Sequence, residues 1–109
     1  MKKRKVDPFV EFVVAQLKGI SNVRAKAMFG GYGLYAGEVF FAVIAESRLF
    51  FKTSIRTRPR YRAVGSEMFN PTPKIKLKRY YEVPLAILES GPQLTEWARE
   101  AVEASQEKE

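Results

Sequence analysis

Residues 30–52 read GGYGLYAGEVFFAVIAESRLFFK, and the fold turns on this stretch. Gly31-Tyr32-Gly33-Leu34-Tyr35-Ala36 matches G-x-G-x-x-A, which cradles a dinucleotide pyrophosphate when a strand precedes it and a helix opens on its last residues. Here LYAGEVFF follows, strand-like and broken by a turn within a few residues. No crossover helix fits. Phe50 and Phe51 stand where an acidic residue at the end of a second strand belongs. As strands, residues 32–36, 38–45 and 48–52 have the expected aromatic and β-branched content. Their connections, Gly30-Gly31, Ala36-Gly37 and Glu46-Ser47, are too short for a parallel crossover, so the strands form an antiparallel meander. Gly30-Gly31 is then expected to turn with positive φ, and Gly33 to permit a close approach. Residues 24–29 add a strand before it.

Helical patterns flank the meander. Asp7-Pro8 is a helix start, a side-chain acceptor followed by a pre-set φ. Phe9, Phe12, Val13 and Leu17 give it an apolar stripe, and Gly19 is expected to end it in a left-handed cap. Residues 53–65, TSIRTRPRYRAVG, predict a short helix with Thr57 at the cap, Pro59 just inside and Gly65 at the end. Residues 66–73 read as loop. In KIKLKRYYEV, Ile75, Leu77, Tyr81 and Val83 are expected to face inward, with Arg79 interrupting them, and Lys74, Lys76, Lys78, Tyr80 and Glu82 outward. Of the adjacent Tyr80 and Tyr81, only one is expected in the core. Pro84–Leu88 forms a helical turn, and Gly91-Pro92 punctuates the chain before the last helix. There Leu94, Trp97, Ala98, Ala101 and Val102 form the buried stripe, with Glu96, Arg99, Glu100 and Glu103 outside. The fold class is α+β: an antiparallel β-meander sheet with N-terminal and C-terminal helices packed on it and one short helix inserted in the middle. Residues 1–109 are expected to be a single domain.

The chain has no cysteine and no histidine, which excludes disulfides, thiolate zinc sites and the commonest general base. Its one aspartate is Asp7. No cofactor, no metal and no enzymatic activity are expected. No apolar run is long enough to span a bilayer, and no signal-peptide cleavage pattern follows the basic start, so a cytoplasmic protein is expected.

Charge is segregated. Residues 48–79 carry 10 basic side chains against Glu67, whereas residues 80–109 carry 2 basic and 7 acidic ones. Such a block could meet an anionic partner or be neutralised within the fold by the acidic tail. The candidate nucleic-acid contacts are Arg56, Arg58, Arg60 and Arg62, whose guanidinium groups pair with phosphate and stack on bases, and Lys74, Lys76 and Lys78. The competing reading of the arginines is a solvated helix paired with the acidic C-terminal helix. For the lysines it is protection of a sheet edge from aggregation.

Six stretches in order, MFGGYGLY (28–35), LFFKT (49–53), TRPRYRAVG (57–65), EMFNP (67–71), YYEVP (80–84) and LTEWAREA (94–101), resemble the N-terminal domain of the TfoX/Sxy bacterial competence regulators. The resemblance covers roughly residues 20–104. It implies an α+β domain that, in the full-length regulators, precedes a helical C-terminal domain. That second domain is expected to be absent from the 109 residues here. It implies a transcription co-activator acting with a transcription regulator; the basic face adds DNA or a polymerase as expected partners. It supplies no catalytic residues. A protein-interaction module or homodimer without direct DNA binding is the alternative.

Overall fold

The computed structural model describes residues 7–28, 30–70 and 77–107. The meander is present: β1 (Val23–Met28), β2 (Gly31–Ala36), β3 (Val39–Ala45) and β4 (Arg48–Lys52) each run antiparallel to the next. The chain continues through α2 (Arg58–Ala63), β5 (Met68–Phe69) and β6 (Leu77–Glu82). β6 pairs with β4, and β5 with the far side of β6, giving an open six-stranded sheet in the order β1-β2-β3-β4-β6-β5. Helix α1 (Pro8–Gln16) precedes the sheet; α3 (Leu85–Leu88) and α4 (Gly91–Ser105) follow it. β5 corrects the expectation of a loop: two residues become a strand only because β6 supplies partners.

Local chemistry sets the ends. The Asp7 carboxylate accepts from the N–H groups of Phe9 (2.9 Å) and Val10 (3.4 Å), as its position predicts. Gly19 is not left-handed: α1 closes at Leu17, and the left-handed residue is Asn22, with φ 59°. Gly91 and Pro92 begin α4 rather than standing before it, with Ser90 as the cap. The glycine pair after β1 divides its work. Gly30 takes φ 74° in the turn. Gly31 has no positive φ. It opens β2, where a Cβ would lie 2.3 Å from the Ile44 carbonyl oxygen.

The β3–β4 loop is Glu46-Ser47, both with positive φ (51° and 58°). Two left-handed residues in succession match the twist of a hairpin, but this geometry favours Asn-Gly. Glu46→Asn combined with Ser47→Gly is therefore expected to raise stability by about 1 kcal/mol, read as a higher denaturation midpoint in urea. A lower midpoint would contradict the turn assignment.

The sheet buries side chains on both faces. Helix-side, Leu34, Phe41, Ala42, Ile44, Leu49 and Phe51 meet Val13 of α1, Leu17 at its C-cap, and Leu94, Trp97 and Ala101 of α4. Each fully buried large side chain contributes roughly 1.5–3 kcal/mol. A β-bulge makes this possible. Leu34 pairs with Ala42 but Tyr35 with Phe40, leaving Phe41 as the extra residue. Phe41 and Ala42 then both point toward the helices, while Phe40 and Val43 point away. On the opposite face Val43, Phe50, Phe69 and Tyr80 form a second cluster, to which no described helix residue belongs. Two cores explain why Tyr80 (7% exposed) and Tyr81 (6%) are both buried, against the expectation that only one is. Leu77 packs with Tyr80 rather than Tyr81, because the β5–β6 register jumps from Met68↔Tyr81 to Phe69↔Leu77.

Candidate nucleic-acid interface

Two basic regions are built by this fold. The first is the arginine segment around α2. Thr57 stands at the cap, but its hydroxyl accepts from the Ser54 N–H (2.9 Å) instead of reaching into the helix. Gly65, φ 77°, follows the helix. Thr53 is fully buried, donating its hydroxyl to the Arg79 carbonyl (2.8 Å) and accepting from Arg58 Nε (2.9 Å). Arg79, the residue that interrupts the apolar alternation of β6, donates to the carbonyls of Thr53 (3.1 Å) and Ala104 (2.8 Å). It thereby satisfies a carbonyl in the last turn of α4, where a cation also suits the helix dipole.

The other arginines meet α4, the residues just after it, or the core. Arg56 pairs with Glu107 (2.5 Å) and Arg60 with Glu100. The Arg60 guanidinium lies 3.9 Å from the Trp97 ring centroid, and among the described residues its buried Nε finds no acceptor. Arg62 is exposed, with a long contact to the Tyr81 hydroxyl (3.4 Å). The ion pairs are partly solvated, so each contributes at most about 1 kcal/mol to stability. Their larger effect is electrostatic, because carboxylates stand beside Arg56 and Arg60. Tyr61, between α2 and the core, packs edge-on against Trp97 (4.9 Å), and burial raises its hydroxyl well above the ordinary tyrosine range. Trp97 is thus both a core anchor and the platform for Arg60.

The second basic region is the helix-free face of the sheet. Strand alternation places Arg24 opposite Tyr35, Tyr35 opposite Phe40, and Lys52 opposite Tyr80. Arg24 lies 4.9 Å from the Tyr35 ring centroid and Lys52 5.9 Å from that of Tyr80. Tyr35 stacks on Phe40 at 5.2 Å, and Phe40 approaches Tyr80 at 5.9 Å. Gly33 makes room in the neighbouring row, where a Cβ would come within 2.8 Å of Phe40 and 2.7 Å of Met28. Burial pushes the Tyr80 hydroxyl up to about 12, so the ring stays neutral at physiological pH. Lys78 is exposed and lines a shallow depression of about 220 Å³ with Lys52, Leu77, Arg79 and Tyr80. Arg48 is committed elsewhere on this face. It bonds Glu82 (2.7 Å) and Glu67 (2.9 Å), and the Glu82 bond foremost raises its pKa above the usual arginine value.

Of the residues singled out in the sequence, the structure gathers Arg56, Arg58, Arg60 and Arg62 around α2 and puts Lys78 at the sheet. Lys74 and Lys76 lie outside the described residues. Arg24, Lys26, Tyr35, Phe40 and Lys52 were not singled out. Each shows a basic or aromatic residue within a strand, but only the register aligns them. Among the described residues, no three His, Cys, Asp or Glu side chains stand together as a metal site, and no helix is long and apolar enough to cross a membrane.

The family model described as the TfoX N-terminal domain matches residues 15–105. No curated protein matches the chain.

Proposed function

The chain belongs to the TfoX N-terminal domain family, and we propose that it is a non-enzymatic, cytoplasmic regulatory domain of the competence-regulator type. On this reading it is a transcription co-regulator that contacts nucleic acid, alone or within a transcription complex, through a basic face. The observation that carries this reading is the distribution of charge. Carboxylates of the C-terminal region neutralise Arg56 and Arg60, whereas Arg24, Lys26 and Lys78 are exposed. The arginine segment contributes fully only if Glu100 and Glu107 give up their pairs.

Phosphate contacts release counterions, so affinity for DNA is expected to fall steeply with salt, by an order of magnitude or more between about 50 and 200 mM. Fluorescence anisotropy with labelled oligonucleotides measures this directly. Absent binding at low salt, or affinity indifferent to salt, would overturn the nucleic-acid reading.

A second reading, a protein-interaction module or homodimer, is favoured by β1. Among the described residues this six-residue strand lies at the sheet edge with β2 as its one partner, and it exposes Arg24 through Ala27. A second copy could extend the sheet there. Native mass spectrometry gives the subunit count that decides it.

A further inference from the structure

Resting on the nucleic-acid reading above, we propose that the helix-free face is a platform for a single strand, not a duplex. The bases stack on Tyr35 and Phe40 between Arg24 and Lys52, with the buried Tyr80 backing Phe40. Three observations converge. The registers pair Arg24 with Tyr35, Tyr35 with Phe40, and Lys52 with Tyr80, and the Phe40–Tyr80 ring contact joins the two sets into one row over β1, β2, β3, β4 and β6. The row spans about 19 Å at a strand spacing of roughly 4.8 Å, the scale on which sheet platforms stack two or three bases. Second, the row is a run of rings in contact with a cation on a ring toward each end: 4.9 Å from Arg24 to Tyr35, 5.2 Å from Tyr35 to Phe40, 5.9 Å from Phe40 to Tyr80 and 5.9 Å from Lys52 to Tyr80. Tyr35 and Phe40 are half-buried, held by the sheet yet open on one side. Third, Lys26 and Lys78 flank the row and are exposed, which suits phosphates on either side of stacked bases.

A duplex shows its base edges and backbone but not its base faces, so rings on a flat sheet gain nothing from it. A single strand offers both faces and phosphates. Stacking on aromatics tolerates any sequence, so weak sequence preference follows.

The test is anisotropy at low salt with labelled oligo(dT), oligo(rU) and a mixed-sequence duplex. The single strands are expected to bind more tightly than the duplex. Tyr35→Leu, which keeps apolar bulk but removes the ring, is expected to weaken single-strand binding about tenfold and leave duplex binding unchanged. Tyr35→Phe keeps the ring and is expected to retain affinity, which separates stacking from folding. Arg24→Gln, at an exposed site, is expected to weaken single-strand binding as well. A duplex bound as tightly as the single strands, with Tyr35→Leu silent, would overturn the platform while leaving the basic-surface reading intact. Binding to neither would overturn both. A dimer that Tyr35→Leu dissociates would assign the face to a second copy and overturn the proposal.

Discussion

Gly31→Ala is expected to destabilise the protein by about 3 kcal/mol, a large share of the roughly 5–15 kcal/mol available to a domain of this kind. The new methyl carbon would stand 2.3 Å from the Ile44 carbonyl oxygen and 3.4 Å from the Ala45 Cα. Both are backbone atoms of the adjacent strand, so no side chain can swing aside. Relief must come from parting β2 and β3, which breaks hydrogen bonds where the sheet begins. Neighbouring glycines give the contrast. At Gly33 a Cβ meets the flexible end of Met28 and the edge of the Phe40 ring, so Gly33→Ala is expected to cost roughly 1–2 kcal/mol. At Gly30 the space is open and only the positive φ resists, at about 1 kcal/mol. Urea denaturation of the three variants should therefore rank them with Gly31→Ala the least stable. A midpoint for Gly31→Ala near that of the unsubstituted protein would contradict the close strand approach.

The meander could be read from residues 30–52 because turns two residues long leave antiparallel pairing as the sole option. The bulge at Phe41 could not, since an extra residue in one strand is defined only by its partner. The same holds for β5: Met68 and Phe69 carry no strand signal until β6 pairs with them. Tyr80 and Tyr81 mislead any rule of one buried face, because this sheet has a core on each side. For the candidate site, the arginine run stands out in the sequence, and so does the acidic C-terminal region as a neutralising partner. Their pairing does not, because Arg56 and Glu107 are 51 residues apart and Arg60 and Glu100 are 40 apart. The row from Arg24 to Tyr80 is less legible still. Its members come from five strands, and one of its contacts depends on the bulge that turns Phe40 outward.

Reversing charge on the helix-free face is expected to have the largest effect on binding. Arg24 and Lys78 are exposed, so Arg24→Glu with Lys78→Glu leaves both buried clusters intact. The lost phosphate contact of Lys78 should lower the salt slope by roughly 0.7 on a single strand, and the loss of Arg24 removes a cation from the stacking row. Placing carboxylates beside the remaining phosphates adds repulsion, for a total loss of more than about tenfold at low salt. Arg56→Glu with Arg62→Glu changes net charge by the same amount, also at exposed positions. It removes one cation already paired with Glu107 and another beside Tyr81, so its effect should be several times smaller. The decisive measurement is the affinity of these two charge-matched variants for the same labelled single strand, titrated over the same salt range. Severe loss and a flatter slope are expected for the Arg24/Lys78 variant, with a modest loss for the Arg56/Arg62 variant. Equal losses, or the greater loss from Arg56/Arg62, would contradict the platform and return the contact surface to the arginines around α2.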